Sequence, residues 1–274
     1  MTELVVRRLL IDLETPIAAR WNGGDAFRSA FFSAMSMSFP AGEQYFIDSV
    51  RNGLKSLPET ERARFAAEVQ GFIGQEATHR RIHARFNGHL DKLGFTNEIE
   101  PRALRRAAAT AHLDLRVHVA ATAATEHFTA LFADWMLRHP EALAGAEPRL
   151  QTLWLWHSAE ETEHRSTAFD LYQAMGGNHA WRLRVFSHVT VIFLWDLLRQ
   201  TLRNLWHDGS LFEWSTWRSA AKLLFARDGM LRANLAGWRA YRAENFHPSQ
   251  HDPARALAWL RENESEFSVV GQAA

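Results

Sequence analysis

Apolar residues recur at three- and four-residue steps along most of this chain, and Pro, Gly and Asn break the runs at intervals suited to helix ends. No stretch combines strict apolar-polar alternation with a hairpin dipeptide, so the pattern predicts an all-α protein. A first helix is expected from about Asp25 to Gly53, kinked or restarted at Pro40. A second is expected from Ser56, read as its N-cap with Glu59 at the capping-box position, to about Leu93. After the connection "FTNEIEPR", one Ala-rich helix is expected to run to Pro140. A fourth covers "QTLWLWHSAEETEHRSTAFDLYQAMGG", closed by Gly176 and Gly177. Two or three more helices are expected beyond Gly177, where seven of the eleven Trp fall. Residues 1–274 read as a single domain: a four-helix bundle over about 25–177, with a helical elaboration over about 178–262.

The segment Val185 to Leu198 is too short, and carries His188 and Asp196, so it predicts a buried helix and not a membrane span; peripheral membrane contact is the alternative. The opening residues mix charge with apolar side chains and lack the pattern of a signal peptide, which leads to the expectation of a cytoplasmic protein. Composition then removes whole classes of function. The 31 basic and 31 acidic residues cancel, leaving no overall field for nucleic acid. Cysteine is absent, so thiolate metal sites and thiol catalysis are excluded, and any metal site must be built from the 14 His and the carboxylates.

Those residues show a repeat. Glu-x-x-His occurs as Glu76/His79 and as Glu161/His164, pairs that share one helix face. Glu43 and Glu126 each lie in an otherwise apolar helical setting, where an unpaired carboxylate is costly. Glu43 precedes Glu76 by 33 residues and Glu126 precedes Glu161 by 35, so two helical hairpins of matching length present the same order of groups. Antiparallel packing would bring the four positions together, giving four carboxylates and two imidazoles, a set suited to two divalent ions of iron or manganese type.

The combined set resembles the ferritin-like di-iron carboxylate superfamily. More narrowly, "FPAGEQYFIDSVR", "QEATHRRIHARFN" and "WHSAEETEHRSTAFDLY" resemble the bacterial family described as predicted metal-dependent hydrolases, over about residues 5 to 255. The resemblance implies a ferritin-like four-helix bundle with additional C-terminal helices, and Glu43, Glu76, His79, Glu126, Glu161 and His164 as ligands of an Fe/Fe or Mn/Fe pair. Glu43, Glu126 and His83 are expected to take part in catalysis, with His83 and His157 as a third His ligand or as groups that tune the ligands.

Superfamily chemistry and family description then diverge. A Glu-rich buried pair leads to the expectation of an oxidoreductase that activates O2 to oxidise or hydroxylate an apolar small molecule, with electrons from an external donor and a homodimer as the assembly. The competing expectation is a hydrolase acting through a metal-bound hydroxide, and the third is a non-catalytic metal-binding bundle. Thr122 and Thr129 flank Glu126 and are expected to bond back to helix carbonyls or to line a cavity; His127 is read as structural. His247, His251 and Asp252 lie in a Pro-bracketed loop.

Overall fold

The computed structural model describes residues 4–271 and is all-α apart from one short strand pair. A strand β1 (Arg7–Leu9) precedes helices α1 (Ala26–Ser56), α2 (Glu59–Lys92), α3 (Ile99–Thr110), α4 (Leu115–Arg138), α5 (Pro148–His164) and α6 (Thr167–Ala174). The chain continues through α7 (His179–His207), α8 (Trp214–Phe225), α9 (Met230–Ala240) and α10 (Ala254–Glu262), and ends in strand β2 (Phe267–Val269). Helix α1 packs on α2 and α4, α4 packs on α5, and α2 touches α5, so these four helices enclose a common interior; α7 lies against α1 and α4 outside it.

Local chemistry corrects several of the expected elements. Asp25 caps α1 by accepting from the Arg28 amide, and the helix continues through Pro40 without restarting. Pro40 has no N–H for the Ser36 carbonyl four residues back; Asn87 Nδ2 of α2 supplies that bond instead, at 2.9 Å. Ser56 is not the N-cap of α2. Its hydroxyl donates to the Gly53 carbonyl at 2.7 Å, and it closes α1. The long Ala-rich helix is two helices, because Asp114 accepts from the Arg116 amide at 2.8 Å and starts α4 afresh. The fourth expected helix also divides, just after His164, where the buried Arg165 guanidinium donates to the carbonyls of Thr162 and Pro248. Four helices, not two or three, follow Gly177 among the described residues.

Two further differences bear on function. The segment Val185 to Leu198 is buried on one face only: in α7, Phe186, Asp196 and Leu197 are buried, while Val191 is 68% and Trp195 56% exposed. The strand pair was not expected; β1 and β2 are antiparallel, with Arg7 opposite Val269 and Leu9 opposite Phe267. The segment before β1 reaches α2 at Gly71 and Gly74, where an added Cβ would come within 2.6 Å of Leu4 and 2.4 Å of Val6. Glycine at both positions lets the backbone lie on the helix and turns Arg7 toward the interior.

Candidate metal centre

Glu43 of α1, Glu76 and His79 of α2, Glu126 of α4, and Glu161 and His164 of α5 are all buried at the centre of the four helices. The imidazoles mark the boundary between two apolar clusters: His79 meets Trp156 edge-on, and His164 meets Phe72 in the same way. Donor atoms of Glu76, His79, Glu161 and His164 lie within 4.8 Å of one another, and so do donor atoms of Glu43, His79 and His157. The two groups share His79. Glu126 stands beside the first group, with Oε2 2.8 Å from His164 Nδ1.

Both oxygens of Glu43 and Glu76, Glu126 Oε1, Glu161 Oε2, His79 Nδ1 and His164 Nε2 are buried without a hydrogen-bond partner. Buried polar atoms are rarely left unpaired, and eight converging on one interior are the donor set a metal ion would use. Charge fits as well. Glu43, Glu76, Glu126 and Glu161 together match two divalent ions, while a further carboxylate buried beside them, Glu160, is held by Arg7 at 3.0 Å. Burial and mutual repulsion push Glu43 and Glu76 well above the ordinary carboxylate value, as expected of carboxylates with no cation beside them.

His79 is oriented from behind. Glu160 Oε2 accepts from Nε2 at 2.9 Å, which leaves Nδ1 aimed at the interior, 3.4 Å from Glu161 Oε1. Burial works against the imidazolium, but the hydrogen bond to Glu160 and the nearby Glu161 carboxylate outweigh it and lift His79 to about 10. Glu163, one turn from Glu160, joins the same anchor: it accepts from Arg7 at 2.7 Å and from Gln75 at 2.8 Å. Arg7 is not among the residues that the sequence singles out. The available signal was Gly71-x-x-Gly74, a close-approach surface within an otherwise helical pattern.

His83 lies one turn beyond His79, but both of its ring nitrogens are engaged, Nδ1 by Ser36 Oγ at 2.8 Å and Nε2 by His157 Nδ1 at 2.7 Å. The Ser36 carbonyl can only accept, so the Asn87 amide faces it with its NH2 and turns Oδ1 to the Ser36 hydroxyl, which therefore donates, at 2.7 Å. Ser36 Oγ then accepts from His83 Nδ1–H. Burial drives His83 well below its ordinary value and takes His157 down to about 4, so both rings are neutral. His83 Nε2 consequently accepts from His157 Nδ1–H, and His157 Nε2 carries a bare lone pair. It lies 2.9 Å from Glu161 Oε1. Burial alone would raise Glu161, but the charge of His164 beside it holds it well below the ordinary range, so an acceptor faces an acceptor. A cation held between them removes that conflict.

A cavity of about 30 Å³ adjoins the centre, with Thr129, His157, Ser158 and Glu161 at its polar end and Met35, Phe39, Phe132, Met136, Phe193 and Met230 around the rest. Thr122 and Thr129 both donate to helix carbonyls, of His118 and Glu126, and Thr129 also lines the cavity. His127 is buried and donates to the Gly237 carbonyl, and burial lowers it to about 3. In the C-terminal loop, His247 pairs with Asp170 at 2.6 Å.

No curated protein and no solved structure matches the chain. A family model described as predicted metal-dependent hydrolase matches residues 5–252. This finding corrects the expectation of an O2-activating oxidoreductase, and with it the expectation of O2 and an external electron donor as partners. The buried carboxylates and imidazoles that suggested redox chemistry suit any divalent ion of intermediate hardness and do not select it. On the match over residues 5–252, the chain belongs to the family of predicted metal-dependent hydrolases.

Proposed function

We propose that this protein is a hydrolase whose centre holds two divalent ions, of iron or manganese type, inside a ferritin-like four-helix bundle formed as one domain. The observation that carries the reading is the convergence of eight unpartnered carboxylate and imidazole atoms in a family described as metal-dependent. The ligands proposed are Glu43, Glu76, His79, Glu126, Glu161 and His164, with His157 as a seventh through its bare Nε2. When bound, such a pair supplies Lewis acidity and a water activated near neutral pH.

The chain's own groups then have distinct tasks. Glu160, neutralised by Arg7, keeps the proton on His79 Nε2 and so presents Nδ1 to the interior. Asn87 and Ser36 hold His83 with its proton on Nδ1, and His83 in turn orients His157. His83 is thereby a positioning residue. Glu126 Oε2, 2.8 Å from His164 Nδ1, is placed to accept or return a proton there. The cavity beside Glu161, at about 30 Å³, holds about one water; its Met- and Phe-rich lining favours an apolar ester or amide as substrate, admitted as the methionine side chains rearrange.

The test is hydrolysis of p-nitrophenyl esters of short and medium-chain acids by chelated protein and by protein reloaded with manganese, iron or zinc. Activity should appear only on reloading and should fall by about 10³-fold or more in Glu161→Ala, which loses a ligand common to the proposed centre. Turnover that persists without metal, or that survives in Glu161→Ala, would sink the proposal.

A further inference from the structure

The outward face of α7 is apolar and uncovered. Val191, Trp195, Leu198 and Trp206 recur at helical spacing along it, each between 49% and 68% exposed. The Trp206 ring meets Phe212 edge-on at 6.2 Å, which extends the apolar surface to Phe212 and Trp214, 84% and 80% exposed, at the head of α8. Soluble proteins rarely present so many large apolar side chains side by side unless something covers them.

Charge decides which occupant fits. Arg184, Arg199, Arg203, Arg218 and Lys222 are exposed on these two helices, and Arg199 lies over the Trp195 ring at 5.9 Å. The one exposed carboxylate between residues 179 and 225 is Glu213, already paired with Arg20 at 3.2 Å. Arg203 is already paired with Glu98 at 3.5 Å, so a second copy packed through this face would set four cations against four with no free carboxylate to pair them. An anionic headgroup layer supplies the opposite sign, and Trp and Phe flanked by Arg and Lys make up the composition that seats at a bilayer boundary.

We propose that the α7–α8 face docks the protein peripherally on an anionic lipid surface. Trp195, Trp206, Phe212 and Trp214 enter the headgroup boundary, while Arg199, Arg218 and Lys222 meet the lipid phosphates. Among the described residues no helix is long and apolar enough to cross a membrane, so the chain lies on the surface. Phe193 of the same helix lines the cavity beside Glu161, so α7 carries both the docked face and part of the cavity wall.

The experiment is co-sedimentation of the metal-loaded full chain with vesicles of phosphatidylcholine alone and of phosphatidylcholine mixed with phosphatidylglycerol. Binding should favour the mixed vesicles by about tenfold or more and weaken with salt. It should drop by a similar factor in Trp206→Ser/Trp214→Ser and in Arg199→Glu/Lys222→Glu. All four side chains are exposed, so both variants should fold, as an unchanged circular-dichroism melt would show. Equal binding to the two vesicle types, or undiminished binding by both variants, overturns the proposal. A stable dimer in analytical ultracentrifugation that Trp206→Ser/Trp214→Ser dissociates also overturns it, since a second copy then covers the face.

Discussion

Glu160 and Glu161 are neighbours in the chain but lie about 100° apart around α5, and they meet different partners. Glu161 faces the converging donors, whereas Glu160 divides its oxygens between Arg7 and His79 Nε2. Replacing Arg7 by Met would leave the buried Glu160 carboxylate with His79 as its only partner, at a cost of about 3 kcal/mol in unfolding free energy. Urea denaturation should find most of that loss recovered in Arg7→Met/Glu160→Gln. A loss that stays the same in the double variant would mean that Arg7 acts by packing over Phe267, 5.5 Å from its guanidinium, and not through the carboxylate. The sequence shows the carboxylates at this scale, because helical spacing places them, but not their counter-ion. Arg7 lies 153 residues from Glu160, and no local pattern links the two.

Helix α1 is continuous across Pro40 because a side chain from α2 supplies the missing bond. Asn87 donates to the Ser36 carbonyl and accepts from the Ser36 hydroxyl, so one amide both repairs the helix and sets the proton order of the His83–His157 chain. Asn87→Leu should destabilise the protein by about 2 kcal/mol through the buried groups it strands. Pro40→Ala restores an amide N–H four residues after Ser36, so the same change in that background should cost less. A thermodynamic cycle over the two positions measures the difference, and strictly additive losses would contradict this account of the proline. Proline in the sequence announced a kink or restart here. What it could not announce was a compensating donor on another helix, which exists only once α1 and α2 have packed.

The whole molecule stores unbalanced charge at its centre, and its stability should report this as pH changes. His79 is raised to about 10 from an ordinary 6.5, so the stability it contributes is full below 6.5 and is lost as pH climbs toward 10. Glu43 and Glu76 are also raised, mainly by burial, and a carboxyl that holds its proton longer in the folded state likewise costs stability as pH rises. His83 and His157 are lowered and act in the opposite direction, but only below their ordinary 6.5. Chelated protein should therefore melt at progressively lower temperature from about pH 6.5 to 9. Manganese-loaded protein should show a flatter or rising profile, because the ions take the places of the protons. Parallel profiles with and without manganese would exclude the carboxylate cluster as the ion's site. Helical periodicity and the doubled Glu, Glu-x-x-His order determined from sequence alone that the chain is all-α and that Glu43, Glu76, His79, Glu126, Glu161 and His164 would lie at one depth, since both follow from the fixed geometry of a helix. Tertiary structure alone decided that His157 turns a bare nitrogen toward Glu161, that β1 brings Arg7 beneath Glu160, and that α7 keeps an apolar face outward. Each depends on which distant surfaces meet, and spacing along one helix carries no information about that.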